Sequence, residues 1–465
     1  MSAPLWTSAE AEAATGGQAS RAFAASGVSI DTRSLEAGDL FVALKGARDG
    51  HAFVADAFAK RAAAALVSDA PPGVAVEAPL LTVPDTLEGL RGLGRQGRAR
   101  SAATVIGVTG SVGKTSTKEA LAAVLAAQGA THAAAASYNN HLGVPLTLAR
   151  MPPEARYAVV EIGMNHPGEI SPLARLARPH VAVITTVEPV HIEFFASEEA
   201  IAEEKAAIMD GLEPGGAAVL NRDNRHFARL EAAARARGID RVIAFGAHPE
   251  ADVRLVSWEP LGWEARVRID LFGRELAATL ASPGLHAAHN ACAVLAAAFA
   301  AGADAAAALP VLAAIAPAGG RGRRRPIPLA GGEATLLDDS YNASPPSVRA
   351  ALAVLAAVPA RRRIAVLGDM RELGERAEAE HRALAGPIVE AGVDAVFTCG
   401  TLMRALHEAL PARLAAAHAA DSAALAPLVQ EAIAPGDVVL VKGSLGSRMG
   451  PLAAALAGDV SGGTH

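Results

Sequence analysis

The sequence predicts an α/β protein of three domains, with a central, mostly parallel sheet between a small N-terminal α/β domain and a C-terminal α/β domain. Three observations predict it. The chain has 465 residues, and at roughly 100–200 residues per domain that length suggests about three. Apolar runs of strand length alternate with longer helical stretches, the pattern of a parallel sheet covered by helices. Two segments rich in Gly and Arg, 86–100 and 319–326, interrupt the alternation and divide the chain into 1–100, 101–319 and 320–465.

In the first domain the runs Asp39–Leu44, Ala63–Val67 and Pro79–Val83 are separated by Gly, Pro and Asp. Residues 86–100 predict a helix leading into a linker. In the central domain Thr104–Thr109 is a strand candidate, followed by a glycine loop and a helical stretch from Lys114 to Gln128. Tyr157–Ile162, Val181–Val187, Ala217–Leu220 and Arg241–Phe245 continue the β series. Residues 251–281 alternate polar and apolar and predict antiparallel strands. Helices near 286–301 and 304–316 close the domain. The third domain has β candidates at Thr335–Leu337, Ile364–Leu367, Ala395–Thr398 and Val438–Val441. No internal repeat is found.

Half the residues are apolar but few are aromatic, so the cores are expected to be built from small aliphatic side chains. A net charge of -6 argues against a general nucleic-acid binder. Local anion binding stays open, because a few cations and helix N-termini suffice for it. By composition the basic run Arg321–Arg325 favours a solvated linker. Cys292 and Cys399 have no metal-ligand spacing and suggest no disulfide framework, which fits a reducing, cytoplasmic compartment. Met1–Arg21 lacks a basic segment followed by an apolar run, so no signal peptide is expected. The apolar stretch Ala291–Gly320 is broken by Asp304 and Pro310 and predicts two helices, with no membrane insertion.

The segment from Gly107 to Thr115, GVTGSVGKT, fits G-x-x-x-x-G-K-[ST] between a β run and a helix. Its glycines let backbone N–H groups turn toward phosphate oxygens. Lys114 supplies a point charge, the Thr115 hydroxyl can ligate Mg²⁺, and the helix N-terminus adds partial positive charge. Gly92–Gly97 matches G-x-G-x-x-G literally but follows a charged helical stretch, so a dinucleotide site is not expected there. Asn342-Ala343-Ser344 is a formal glycosylation sequon that a chain without a secretion signal would not use. For His286 and His289, three apart near one helix face, packing or capping is a commoner role than metal binding.

The base-reading signature of GTPases is missing: Asn221-Arg222-Asp223-Asn224 does not fit it. The second strand ends in Glu161, where a kinase or transporter ATPase would have Asp as its metal anchor. Here the chain resembles the Mur ligase family, over nearly its whole length. Asp31-Thr32-Arg33, Phe41–Gly46 and Asp49–Phe53 resemble the segment that grips the uridine diphosphate end of the substrate. Thr109–Ser116 resembles the family's phosphate loop, and Asn139-Asn140 with Gly143–Thr147 its substrate-facing loop. Glu161–Ile170, Asp338–Pro345, Val366–Gly374 and Val441–Ser444 resemble further hallmarks of the branch that takes D-alanyl-D-alanine. The Asp-Asn-Pro-Arg motif of the third-residue-adding relative is not found. The sequence departs from the family at Ala287, where His-Asn is usual, while Asn290 is retained one turn on.

The resemblance implies a central phosphate-loop ATPase domain, an N-terminal domain for the UDP-muramoyl substrate and a Rossmann-like C-terminal ligase domain. It implies ATP-dependent joining of D-alanyl-D-alanine to UDP-N-acetylmuramoyl-tripeptide through an acyl phosphate, by a monomer. ATP would be held by Gly110, Ser111, Gly113, Lys114, Thr115, Ser116, Asn290, Arg321, Asp339 and Asn342. Thr115 and Glu161 would hold Mg²⁺, with a second ion on His191 and on Lys205 as a carbamate. Lys114, Lys205, His191, Glu161 and Arg321 would carry the catalysis. Thr32, Arg33, Lys45, Asp49, His51, Asn139, Asn140, Lys442 and Ser444 would contact the other substrates. Rival readings are another ligase of the superfamily, such as a folylpolyglutamate synthetase, or a nucleotide-switched binding protein.

Overall fold

A computed structural model describes residues 3–459. Met1 and Ser2 of the segment tested for a leader, and 460–465 of the third domain, lie outside the described residues. The N-terminal sheet runs in the order Gln18–Ala19, Leu80–Thr82, Ala64–Val67, Asp39–Val42, Gly27–Ser29, and its last four strands are mutually parallel.

The central sheet has nine strands. Six form a parallel set, in the order Arg241–Gly246, Ala217–Asn221, Val181–Ile184, Thr104–Thr109, Tyr157–Glu161, Thr131–Ala133. An antiparallel meander of Val253–Leu261, Glu264–Leu271 and Arg274–Leu280 extends one edge, as the polar–apolar alternation predicts. The helix Leu285–Ala300 packs on this sheet through Leu295 and through Ala288, Ala291 and Cys292, small side chains that let helix and sheet approach closely. The C-terminal sheet has six strands, all parallel to their neighbours except the hairpin Arg323–Leu329/Gly332–Asp339. Cys292 and Cys399 are both buried and free, and burial pushes each thiol up to about 12. No helix among the described residues is long and apolar enough to cross a membrane.

Some expectations need correction. Arg323, Arg324 and Arg325 are not a linker; they begin the edge strand of the third sheet, where exposed cations are compatible with strand pairing. The strands Thr131–Ala133 and Ala415–Ala419 are not predicted because the first has only three residues and the second is nearly all alanine, with little β propensity. The helix Thr86–Ala99 does not merely lead into a linker. It packs backbone to backbone on its neighbours: a Cβ on Gly97 would lie 2.2 Å from the Leu148 carbonyl oxygen, and one on Gly92 2.4 Å from that of Ala14. The G-x-G-x-x-G spacing therefore serves helix packing, and its amides are committed within the helix. Gly97→Val should destabilise the fold by about 1–3 kcal/mol through overpacking. Urea unfolding checks this, and unchanged stability would show that the contact gives way freely.

Candidate functional site

The parallel strand order places Thr104–Thr109 between Tyr157–Glu161 and Val181–Ile184. The phosphate loop leaves the C-terminal end of this inner strand, the usual place for ligands in such sheets. Two of its glycines are dictated by space and conformation. Gly110 has φ +147°, and a Cβ there would lie 1.9 Å from Thr185 Oγ1; Gly113 has φ +88°, with Asn290 Oδ1 3.0 Å from its Cβ position. The loop is tied to the segment after Val181–Ile184. Thr185 Oγ1 donates to the Val112 carbonyl at 2.6 Å, and Ser111 Oγ donates to the Glu188 carbonyl and accepts from its amide, each at 2.9 Å. This is why the predicted strand Val181–Val187 stops at Ile184.

Lys114 Nζ donates to the Gly110 carbonyl at 2.8 Å, bending over its own loop. Burial lowers its pKa, as does the Arg321 charge, while Glu161 opposes the shift. Thr115 Oγ1 lies 3.1 Å from Ser137 Oγ, and Arg321 of the third domain donates to that same Ser137 oxygen at 3.1 Å. Arg321 also stacks over Tyr341, 4.2 Å from the ring centroid. Glu161 is buried at the end of its strand. Its Oε1 accepts from Asn139 Nδ2 at 2.7 Å, whereas Oε2 is buried without a partner among the described residues. An orphaned carboxylate oxygen beside a phosphate loop is costly unless a cation meets it. Together with the Thr115 hydroxyl it forms a hard oxygen donor set that fits Mg²⁺. Among the described residues no group of three or more His, Cys, Asp or Glu is arranged to hold a metal.

The third domain closes the opposite wall. Buried Lys442 donates to Asp339 Oδ2 at 2.6 Å and to the Asn342 carbonyl at 3.0 Å. Ser444 Oγ donates to the Ala343 carbonyl at 3.3 Å and accepts from the Arg371 amide at 2.9 Å. His191 Nδ1 contacts the Glu372 carboxylate directly, and this partner holds Glu372 below the usual carboxylate range. One cavity of about 1520 Å³ joins these parts. Ser111, Gly113, Lys114, Thr115, Ser116, Asn139, Asn140, Glu161, His191, Asn290, Arg321, Asp339, Asn342, Lys442 and Ser444 all line it. So do His286 and His289, the latter 3.4 Å from Asp223.

Thr32, Arg33, Lys45, Asp49 and His51 do not line this cavity. They lie on the N-terminal domain. Arg33 pairs with Asp31, and Lys45 with Asp69 at 2.6 Å; both cations are exposed. The Thr32 carbonyl accepts from Lys60. Asp49 caps the turn Gly50–Phe53, and buried His51 accepts from the Ser68 amide at 2.9 Å, so these two shape the loop. Asn140 Oδ1 likewise accepts from the Leu142 and Gly143 amides at the start of the helix Gly143–Ala149. Lys205, on the helix Glu198–Ala206, lies outside the cavity lining but is only 2% exposed, not a surface lysine. Burial and the nearby Lys114 charge hold its pKa well below the usual value, with Glu204 opposing. Ser137, Glu188 and Glu372 escaped the sequence reading. Ser137 follows a run of four alanines, and nothing local marks it.

The comparisons match this architecture along the chain. Residues 108–298 match the Mur ligase middle domain, 322–445 the Mur ligase glutamate ligase domain, and 24–98 the Mur ligase family catalytic domain. The chain belongs to the Mur ligase family, whose members are ATP-dependent, ADP-forming ligases. It is 37% identical over 432 residues to the UDP-N-acetylmuramoyl-tripeptide–D-alanyl-D-alanine ligase of Escherichia coli strain K12, covering 92% of this chain and 93% of that one. A solved UDP-N-acetylmuramoylalanyl-D-glutamyl-2,6-diaminopimelate–D-alanyl-D-alanyl ligase from Acinetobacter baumannii superposes with TM-score 0.82 at 30% identity, over 97% of this chain and 98% of that one. The MurF ligase from Thermotoga maritima, solved with ADP, gives TM-score 0.76 at 26% identity, over 93% and 97%.

Proposed function

We propose that this chain joins D-alanyl-D-alanine to UDP-N-acetylmuramoyl-tripeptide at the expense of ATP. The observation that carries this reading is the single cavity in which the phosphate loop faces Arg321, Asp339, Asn342 and Lys442. The similarity to ligases of that name over more than nine-tenths of both chains supports it. A terminal donor carboxylate oxygen attacks the γ-phosphorus of ATP and ADP leaves. The amine of D-alanyl-D-alanine then attacks the acyl carbon; phosphate leaves and the nitrogen loses a proton. Two anions meet in the first step, so cations must neutralise them: Lys114 from the loop and Arg321 from the third domain. The Asp339–Lys442 pair holds the third-domain wall in place. Closure of the third domain on the central one would exclude water that would hydrolyse the acyl phosphate.

Thr115 and Glu161 would hold Mg²⁺, which when bound neutralises charge on the nucleotide phosphates. His191 and a carbamate on Lys205 would serve a second ion. The depressed pKa of Lys205 favours the neutral amine, the form that adds carbon dioxide with loss of a proton. We also propose that the protein acts as a monomer in the cytoplasm. ADP release that requires both donor and acceptor tests the ligase reading. ADP release with neither present would favour a nucleotide switch, and a preference for a folate or another stem-peptide donor would move it elsewhere in the superfamily.

Arg33 and Lys45, both exposed, would hold the uridine diphosphate group, Lys45 beside the capped loop at Asp49. Lys45→Ala should raise KM for the donor roughly tenfold, through loss of a charge-assisted contact, and leave KM for ATP unchanged. A rise for ATP alone would remove the N-terminal domain from donor binding.

A further inference from the structure

We propose that Ser137 is a positioning residue that sets Arg321 of the third domain against the phosphate loop, so that the arginine meets the transferring phosphoryl group in one orientation. This rests on the ligation proposed above and names a residue that acts in it through Arg321. The central and third domains meet at its hydroxyl. Ser137 Oγ accepts from Arg321 Nη2 at 3.1 Å and lies 3.1 Å from Thr115 Oγ1. A hydroxyl has two acceptor lone pairs and one proton, so it can hold the arginine and still share a hydrogen bond with Thr115. One oxygen therefore registers Arg321 to the loop residue next to Lys114.

Ser137 can do this because the segment carrying it is tied down along its length. That segment runs from the edge strand Thr131–Ala133 to the helix Gly143–Ala149. At its start the Ala134 carbonyl accepts from Lys118 Nζ at 2.7 Å. Lys118 belongs to the helix that follows the phosphate loop, is only 1% exposed and does not line the cavity. This buried cation anchors the segment to the loop's own helix. Beyond Ser137, Asn139 is held by two bonds: its carbonyl accepts from the Gly163 amide at 2.8 Å, and its Nδ2 donates to Glu161 Oε1 at 2.7 Å. A Cβ on Gly163 would lie 2.9 Å from Asn139 Cγ, so the two segments approach as closely as a glycine allows. Asn140 then caps the next helix.

Arg321 is covered from its own domain by Tyr341, 4.2 Å from guanidinium carbon to ring centroid, and the Gly320 carbonyl accepts from the Tyr341 amide at 3.0 Å. A guanidinium stacked on a ring can still slide and turn over its face. A hydrogen bond to a fixed oxygen removes that freedom. Orientation matters here because a misplacement of about 1 Å can cost on the order of 10²-fold in rate.

The test is a double-mutant cycle read by ADP release with donor and D-alanyl-D-alanine both present. Ser137→Ala should lower kcat about tenfold, the loss expected for one hydrogen bond to a charged group, and leave KM for the donor unchanged. Ser137→Thr keeps the hydroxyl, and the cavity that Ser137 lines has room for the added methyl, so this variant should retain most of the wild-type rate. In an Arg321→Ala background, Ser137→Ala should cost less than about twofold more, because the residue it positions is gone. ADP affinity, titrated by calorimetry, should stay near that of the wild type. An undiminished loss in the Arg321→Ala background, a wild-type kcat for Ser137→Ala, or Ser137→Thr as slow as the alanine variant would overturn the proposal. So would a fall in ADP affinity as large as the fall in rate, which would make Ser137 a nucleotide-holding residue. Failure of the wild-type protein to release ADP with both substrates present would overturn the ligation reading instead.

Discussion

Lys114→Ala should lower the rate of ligation by on the order of 10²–10³-fold or more while leaving the protein folded. Lys114 sits at the start of the helix Lys114–Ala126, with its ammonium over the loop that receives the phosphates and the like charge of Arg321 close by. It meets charge that grows as the phosphoryl group moves, so its loss falls on kcat and on kcat/KM together. Among the described residues its side-chain hydrogen bonds are to carbonyls of its own loop, so the fold should survive. Steady-state ADP release with thermal melting checks both halves. Near-normal turnover in a folded variant would remove the phosphate loop from the chemistry.

Lys205→Ala should be nearly inactive, with a loss of similar order, and added short carboxylates should restore part of the rate. If Lys205 acts as a carbamate, the site needs an anion, and a small acid can occupy the vacated space. Lys205→Arg should fail and resist rescue, since a guanidinium stays cationic and fills the site. The lysine is almost wholly buried, so truncation also removes packing. Melting measured beside activity separates the two effects, because carboxylate rescue restores turnover but not lost packing. Full activity of Lys205→Ala would eliminate the carbamate while leaving the phosphate-loop ligase reading in place.

Much of the site was legible because its signals are local. Gly107–Thr115 announces strand, loop and helix in nine consecutive residues, and the apolar run before Glu161 places that carboxylate at a strand end. Other parts depend on pairs distant in sequence. Ser137 reads as a neutral residue among alanines until folding brings Thr115, 22 residues away, and Arg321, 184 residues away, to the same hydroxyl. Glu372 meets His191 across 181 residues, and no spacing announces it. Lys205 lies in an acidic helical stretch that reads as surface, because burial is a property of what packs on a helix.

The sequence by itself determined the three-part α/β organisation, the phosphate loop and the antiparallel edge of the central sheet. These follow from periodicity and from motifs whose residues are neighbours in the chain. Tertiary structure decided which of these residues share a cavity. It gave the glycines of Thr86–Ala99 to helix packing, made a strand of Arg323–Arg325 and buried Lys205. It also left Thr32, Arg33, Lys45, Asp49 and His51 out of the cavity that the phosphate loop lines. The physical reason is that close packing and desolvation act between surfaces contributed by distant segments, and local propensity carries no information about which surfaces will meet.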